Sequence, residues 1–321
     1  MTPPNPPNPP NPPLDIHVED DRAPDTDARL LRELFAGLPV TVPDPGREPG
    51  EAPARTVVAR RPDGGLLGWA EVYDLRGDGQ PVAAVQWVVV SRERERIVQG
   101  HNVAREATPE EKAVAARLVH GVATGAGAAG YAALEWDDPE RLLDVQDAAE
   151  LGASPTEELN RRWALSTPPA GWTAPAGLPA VSTRPVPPAP GPVQLSAYAD
   201  FFAEFTGQPY TAEDASELLA DVHPFPHTAL DLLDPDGRVS AQVVAVVEGG
   251  VAQVDAVFHR KGTSAGELAA LLAALIAPLC REHPGVTALE VQDLGDPVVA
   301  EALAATGLHV VDRWYRYRLP L

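Results

Sequence analysis

The chain has 321 residues, 44% of them hydrophobic, enough to core two domains of common size. Its formal charge of −21 argues against a surface that tracks nucleic-acid phosphates or docks on an anionic membrane. A single cysteine, Cys280, excludes an intramolecular disulfide framework and a cysteine-rich zinc site, and it fits a reducing cytoplasm.

Residues 1–13, MTPPNPPNPPNPP, repeat Asn-Pro-Pro without apolar partners and read as a solvated, polyproline-like tail with none of the marks of a secretory signal. The first half then runs over 14–166. A strand is expected at DIHVE, a helix over 27–38, and strands in RTVVARR, LLGWAEVYDL and VAAVQWVVV. The run SRERER that follows Val90 reads as a solvated strand end of alternating charge rather than a phosphate clamp. A helix starts at Thr108, where Thr as N-cap, Pro109 at N1 and Glu111 at N3 spell a capping box. The strand YAALEW and the segment after Gly152 complete this half.

Residues 167–177 open a proline-rich stretch that reads as a linker into a second half, 178–321. His223-PFP-His227 has a spacing that invites a metal, but its prolines forbid a regular helix and leave a loop as the reading. TALDLLD, RVSAQVVAVV and VAQVDAVF form three strands joined by the turns Pro235-Asp236-Gly237 and Glu248-Gly249-Gly250. From Glu267, apolar residues at 268, 271, 272, 275, 276 and 279 lay one stripe along a helix. TALEV is a buried strand, a helix from Pro297 to Thr306 is closed by Gly307, and HVVDRWYRYRL is the last strand.

The halves share more than an order of elements. Both contain Ala-Leu-Glu (133–135 and 288–290), then Asp-Pro (138–139 and 296–297), then a helical run ending at Gly152 or Gly307, then Arg-Trp (162–163 and 313–314). The fold class is therefore α+β (mixed α/β): two tandem domains, each a mixed, mostly antiparallel sheet flanked by helices. Three antiparallel strands, a helix, a parallel strand added by crossover, a helix and a last strand resemble, in that order, the GCN5-related N-acetyltransferase (GNAT) family. The tandem arrangement is similar to that of mycothiol synthases, without a motif specific to them.

The resemblance implies acetyl-CoA as co-substrate, no metal, and a small-molecule or peptide amine as acceptor. In the family a Gln/Arg-x-x-Gly-x-Gly/Ala loop presents helix N-terminal amides to the pyrophosphate. Here Val257 leads into Arg260, Lys261, Gly262, Thr263, Ser264, Ala265 and Gly266, which match that loop in part: Thr263 or Ser264 stands at its middle glycine, depending on register. The alternative reading is an ordinary capped helix start. The matching region of the first half lacks the glycines and has Glu110 and Glu111 in the first helical turn, so that half reads as structural. Acyl transfer needs a base, for which Asp255 stands first, equally readable as a solvent-facing strand carboxylate, and Glu290 second. The family's frequent thiolate acid, a tyrosine four residues before the glycine closing the last helix, is replaced by Leu303, and by Ala148 in the first half. Two functions follow: an acetyl-CoA-dependent N-acyltransferase, or a tandem scaffold that binds acyl-CoA or a partner without chemistry.

Overall fold

A computed structural model describes residues 15–21, 26–40, 53–75, 81–99, 106–138, 141–220 and 226–321; the Asn-Pro-Pro tail and His223 lie outside them. In chain order the elements are β1 (His17–Asp21), α1 (Thr26–Leu34), β2 (Arg55–Arg60), β3 (Leu66–Leu75), β4 (Val82–Val89), α2 (Val90–Gln99), α3 (Pro109–Ala128), β5 (Ala133–Asp137), α4 (Val145–Glu150) and β6 (Ser154–Ala164). They continue with β7 (Ser182–Pro185), α5 (Pro192–Thr206), α6 (Ala212–Ala220), β8 (His227–Leu233), β9 (Val239–Glu248), β10 (Val251–Val254), β11 (Val257–His259), α7 (Ala265–Glu282), β12 (Ala288–Gln292), α8 (Pro297–Ala305) and β13 (His309–Pro320).

Packing divides the chain into two units. The first takes the residues up to Glu157 together with Trp314–Leu321, and the second takes Glu158–Arg313. The division falls inside β6, upstream of the proline-rich stretch, and the end of the chain belongs to the first unit.

In the first unit β1, β2, β3 and β4 pair antiparallel in sequence order, β5 joins β4 in parallel, and Arg316–Pro320 of β13 closes the ladder antiparallel to β5. The second unit repeats the plan. β7, β8, β9 and β10 are antiparallel, β12 joins β10 in parallel, and Arg162–Ala164 of β6 lies antiparallel to β12. Each half of the sequence thus gives the end of its last strand to the other unit, where the sequence order alone suggested closure within each half.

Charge explains the choice of partner. β5 presents Glu135 and Asp137, and the β13 segment sets Arg318 directly opposite Glu135 and Arg316 opposite Asp137. The Arg316 guanidinium grips Asp137 with two bonds of 2.7 and 3.0 Å, and Arg318 is bonded to Glu135. β6 carries Glu157 and Glu158, which would bring like charge to the same strand. In the second unit the buried Asp293 accepts from Arg161 Nε at 2.7 Å and from the Trp163 indole at 2.8 Å, which seats β6 beside β12. The repeated Arg-Trp pair at 162–163 is part of this seat.

Helices cover the sheets by burying their apolar stripes. Leu268, Leu271, Leu272, Leu275, Ile276 and Leu279 of α7 pack with Leu289, Val291 and Leu303 in the second core, and Val114, Leu118 and Val122 of α3 pack with Val57, Val85 and Leu134 in the first. The Thr108 capping box forms as expected. SRERER, expected as a solvated strand end, lies in helix α2. Arg94 there donates to the carbonyls of Leu34 and Ala36 at the end of α1, and Arg92 is buried, so the charges serve packing rather than solvation. The proline-rich stretch is docked: Pro169 is buried and Trp172 and Leu178 pack on the second core. Helices α5 and α6, unforeseen from the sequence, bury Tyr198, Phe201, Phe202, Ala215 and Leu219 against Val239.

Candidate functional site

The parallel ladder of β10 with β12 ends at Val254 opposite Val291. Asp255 and Ala256 interrupt the strand, and β11 resumes paired with β9, setting Val257 opposite Val243 and His259 opposite Ala241. The two neighbours therefore diverge after Val254. Asp255 sits at the divergence, exposed, and accepts from the Gln292 amide at 3.1 Å. Glu290 belongs to the same face by strand alternation, its register partner being Gln253, but its carboxylate is held by Arg162 at 3.1 Å. Arg162 also reaches Asp312 at 3.2 Å, so Glu290 sits in a charge network and Asp255 at an open strand break. Val257 is buried in the core and can offer a ligand only its backbone.

The loop that follows is built on Gly262, whose φ of +93° suits a residue without Cβ. The Thr263 amide donates to the Arg260 carbonyl and the Thr263 hydroxyl to the Ser240 carbonyl. Arg260 is turned inward: its Nε donates to the Val239 carbonyl at 2.8 Å, its terminal nitrogen pairs with Glu204, and the guanidinium lies 5.8 Å from the Phe201 ring centre. Lys261 is exposed and makes no ion pair with a described residue. Ser264 caps α7 in a reciprocal box with Glu267, and the Ser264 amide holds that carboxyl below the usual range. Of the first α7 amides, Glu267 is taken by the Ser264 hydroxyl, whereas Ala265 and Gly266 make no hydrogen bond to a described residue.

Two residues that sequence reasoning passed over flank this divergence. His259 Nε2 lies 2.9 Å from Asp296 Oδ2, and its Nδ1 lies 3.1 Å from the Arg260 carbonyl. Both ring nitrogens thus face oxygen atoms of the chain. Asp296 is the N-cap of α8; burial opposes its charge, but the His259 bond and the Val298 and Val299 amides outweigh burial and lower its pKa. The signal was a histidine immediately before the loop. Leu303, at the place of the family's tyrosine, is fully buried in the second core.

The first unit diverges in the same way. β4 pairs with β5 from Val82 to Val85 and thereafter only with β3, and a cavity of about 730 Å³ opens between β4, β5 and α2. No loop separates strand from helix here, because α2 begins at Val90. The start of α3 is closed by Glu111, which accepts from the Thr108 amide and from the Ser91 hydroxyl. Trp136 packs between Trp87 and Tyr317, with ring centres 5.5 and 5.6 Å away, and burial raises the Tyr317 phenol to about 12.

Among the described residues no group of three His, Cys, Asp or Glu side chains could hold a metal, and no helix is long and apolar enough to cross a membrane. No protein-family model and no curated protein matches the sequence. Solved structures with a related course of chain include a tandem GNAT protein from the clavulanic acid biosynthesis pathway, 18% identical, covering 95% of this chain and 98% of its own, with a TM-score of 0.47. A GNAT-family acetyltransferase from Colwellia psychrerythraea is 14% identical over 94% of this chain and 99% of its own, with a TM-score of 0.48. A GCN5-related N-acetyltransferase from Sphaerobacter thermophilus is 15% identical over 95% of each chain, with a TM-score of 0.42.

Proposed function

We propose that the chain is an acyl-CoA-dependent N-acyltransferase of the GCN5-related type, with acetyl-CoA as co-substrate on the second unit and a small-molecule or peptide amine as acceptor. One observation carries this reading. Parallel pairing stops at Val254, and the strand passes through the left-handed Gly262 into a helix whose Ala265 and Gly266 amides have no acceptor among the described residues. Two open amides at a positive helix end, with Lys261 alongside, suit a phosphate chain. The backbone at Val257, Lys261 and the amides of Ala265 and Gly266 would hold the co-substrate, while the Thr263 and Ser264 hydroxyls, bonded to Ser240 and Glu267, fix the shape of the loop and Arg260 steadies it through Glu204.

The bound thioester supplies the activated acyl carbon. Asp255, kept in orientation by Gln292, takes the proton of the incoming ammonium. Glu290 serves the site through its pairing with Arg162 rather than as the base. Leu303 has no proton to give, so the departing thiolate is protonated from water. The single thiol, Cys280, fits a reducing cytoplasm as the site of action.

The test is thiol release from acetyl-CoA across a panel of amines. Saturable release with at least one amine is the expected result. The second reading, a scaffold that binds without turnover, is favoured by the buried Leu303, and saturable binding of coenzyme A with no release for any amine would establish it in place of the first.

A further inference from the structure

We infer, on the coenzyme reading given above, that His259 working with Asp296 is a positioning residue for the phosphate-binding loop of the second unit. His259 closes β11, and its ring reaches in two directions: Nδ1 lies 3.1 Å from the Arg260 carbonyl and Nε2 lies 2.9 Å from Asp296 Oδ2. The Arg260 carbonyl also accepts from the Thr263 amide, so the ring grips the first residue of the turn that carries Gly262.

The far anchor is itself held. Asp296 divides its carboxylate, Oδ1 accepting from the Val298 and Val299 amides at 2.7 and 3.2 Å while Oδ2 faces His259. Its own amide donates to the Asp293 carbonyl at 2.8 Å, and Asp293 is buried with Arg161 and Trp163 as donors. The His259 side chain is only 12% exposed and the Phe205 ring lies 6.4 Å away, steeply inclined, so packing confines the imidazole as well as its two nitrogens do. The end of β11, the turn and the start of α8 are thereby tied together. The Ala265 and Gly266 amides follow that turn directly. Two amides grip a phosphate chain best when they are aimed before it arrives, because ordering them on binding costs affinity. Loss of the His259 latch would slacken the turn while leaving the α7 core and the Ser264 cap in place.

Calorimetric titration of the full chain with coenzyme A, and with pantetheine as the probe that lacks the phosphates, tests this role. His259→Phe keeps a ring in place and removes both nitrogens; Asp296→Ser keeps an N-cap for α8 and withdraws the reach to His259. Each should weaken coenzyme A by about fivefold or more and leave pantetheine within about twofold, since only the aim of the phosphate loop is lost. The double variant should bind coenzyme A no more weakly than the poorer single one, because both changes cut the same connection. Unchanged coenzyme A affinity in either single variant, equal losses for the two ligands, or additive losses in the double variant would overturn the latch. If His259→Phe does not fold, Asp296→Ser decides alone, and where pantetheine binds too weakly to titrate, the cycle on coenzyme A decides. A parent chain that binds no coenzyme A overturns the coenzyme reading and the latch with it, whereas a parent and variants that bind equally well sink the latch only.

Discussion

Both units let a parallel strand pair part company, after Val85 in the first and after Val254 in the second, but they finish the opening by different means. In the second unit a turn at Gly262 precedes α7 and leaves two helix amides open. The first unit runs directly into α2, seals α3 with a buried glutamate, and keeps a cavity walled by tryptophans. One strand plan therefore ends in two kinds of surroundings, because the groups at each opening come from the few residues after the divergence and not from the ladder that creates it.

The sharpest way to break this comparison is at the proposed base. Asp255→Asn keeps the shape of the strand break and removes the proton acceptor, so the turnover number should fall by about 10² or more while acetyl-CoA affinity stays constant. Glu290→Gln should cost less. A rate for Asp255→Asn within twofold of the parent, measured with a true acceptor, removes Asp255 from the mechanism and favours the scaffold.

The next effect is on stability. A Cβ on Gly68 would lie 2.5 Å from the Val88 carbonyl oxygen and 3.3 Å from the Val89 Cα, backbone atoms that form the cavity wall. Gly68→Ala should destabilise the first unit by about 1–3 kcal/mol, seen in denaturant unfolding, with coenzyme A binding retained. Loss of coenzyme A binding in this variant would show that the two openings do not behave separately.

A smaller effect distinguishes the loops themselves. Lys261→Glu should weaken coenzyme A by about tenfold, the scale of one reversed charge near a phosphate. Arg94→Glu, which breaks the cap on α1, should lower the melting temperature and leave coenzyme A affinity unchanged. Equal losses in calorimetry would contradict the asymmetry.

The smallest effect is on pH. Asp296 has a lowered pKa in the folded chain, so its contribution to stability is complete above the unfolded carboxyl value of about 3.9 and is lost as pH falls through the lowered folded value. Asp296→Asn should flatten the acid limb of a melting-temperature profile by an amount below about 1 kcal/mol, given its partial exposure. An unchanged acid limb would mean that the His259 bond contributes nothing to folding.

Much of this was legible in residue order. The capping box at Thr108, the stripe on α7 and the turns at Gly237 and Gly249 act over a few residues, and local pattern exposes them. SRERER misled because alternating charge suits a strand edge as well as a helix; Arg94 reaching carbonyls at the end of α1 settles the matter, and those carbonyls are about 60 residues away in the chain. His259 escaped notice because its role depends on Asp296, a partner set by the fold. The first-unit cavity had no motif to announce it, since its walls come from β4, α2, β5 and β13.

The amino-acid sequence by itself determined most of the strands, the helices α1, α3, α7 and α8, the repeat of one plan in two halves and the irregular loop before α7, all properties of neighbours along the chain. Tertiary structure alone decided which unit each last strand completes, where Arg260 turns and which divergence keeps an open cavity. Those choices rest on pairings such as Arg316 with Asp137 and Arg260 with Glu204, between residues far apart in the chain, and their energies exist only once folding has brought the partners into contact.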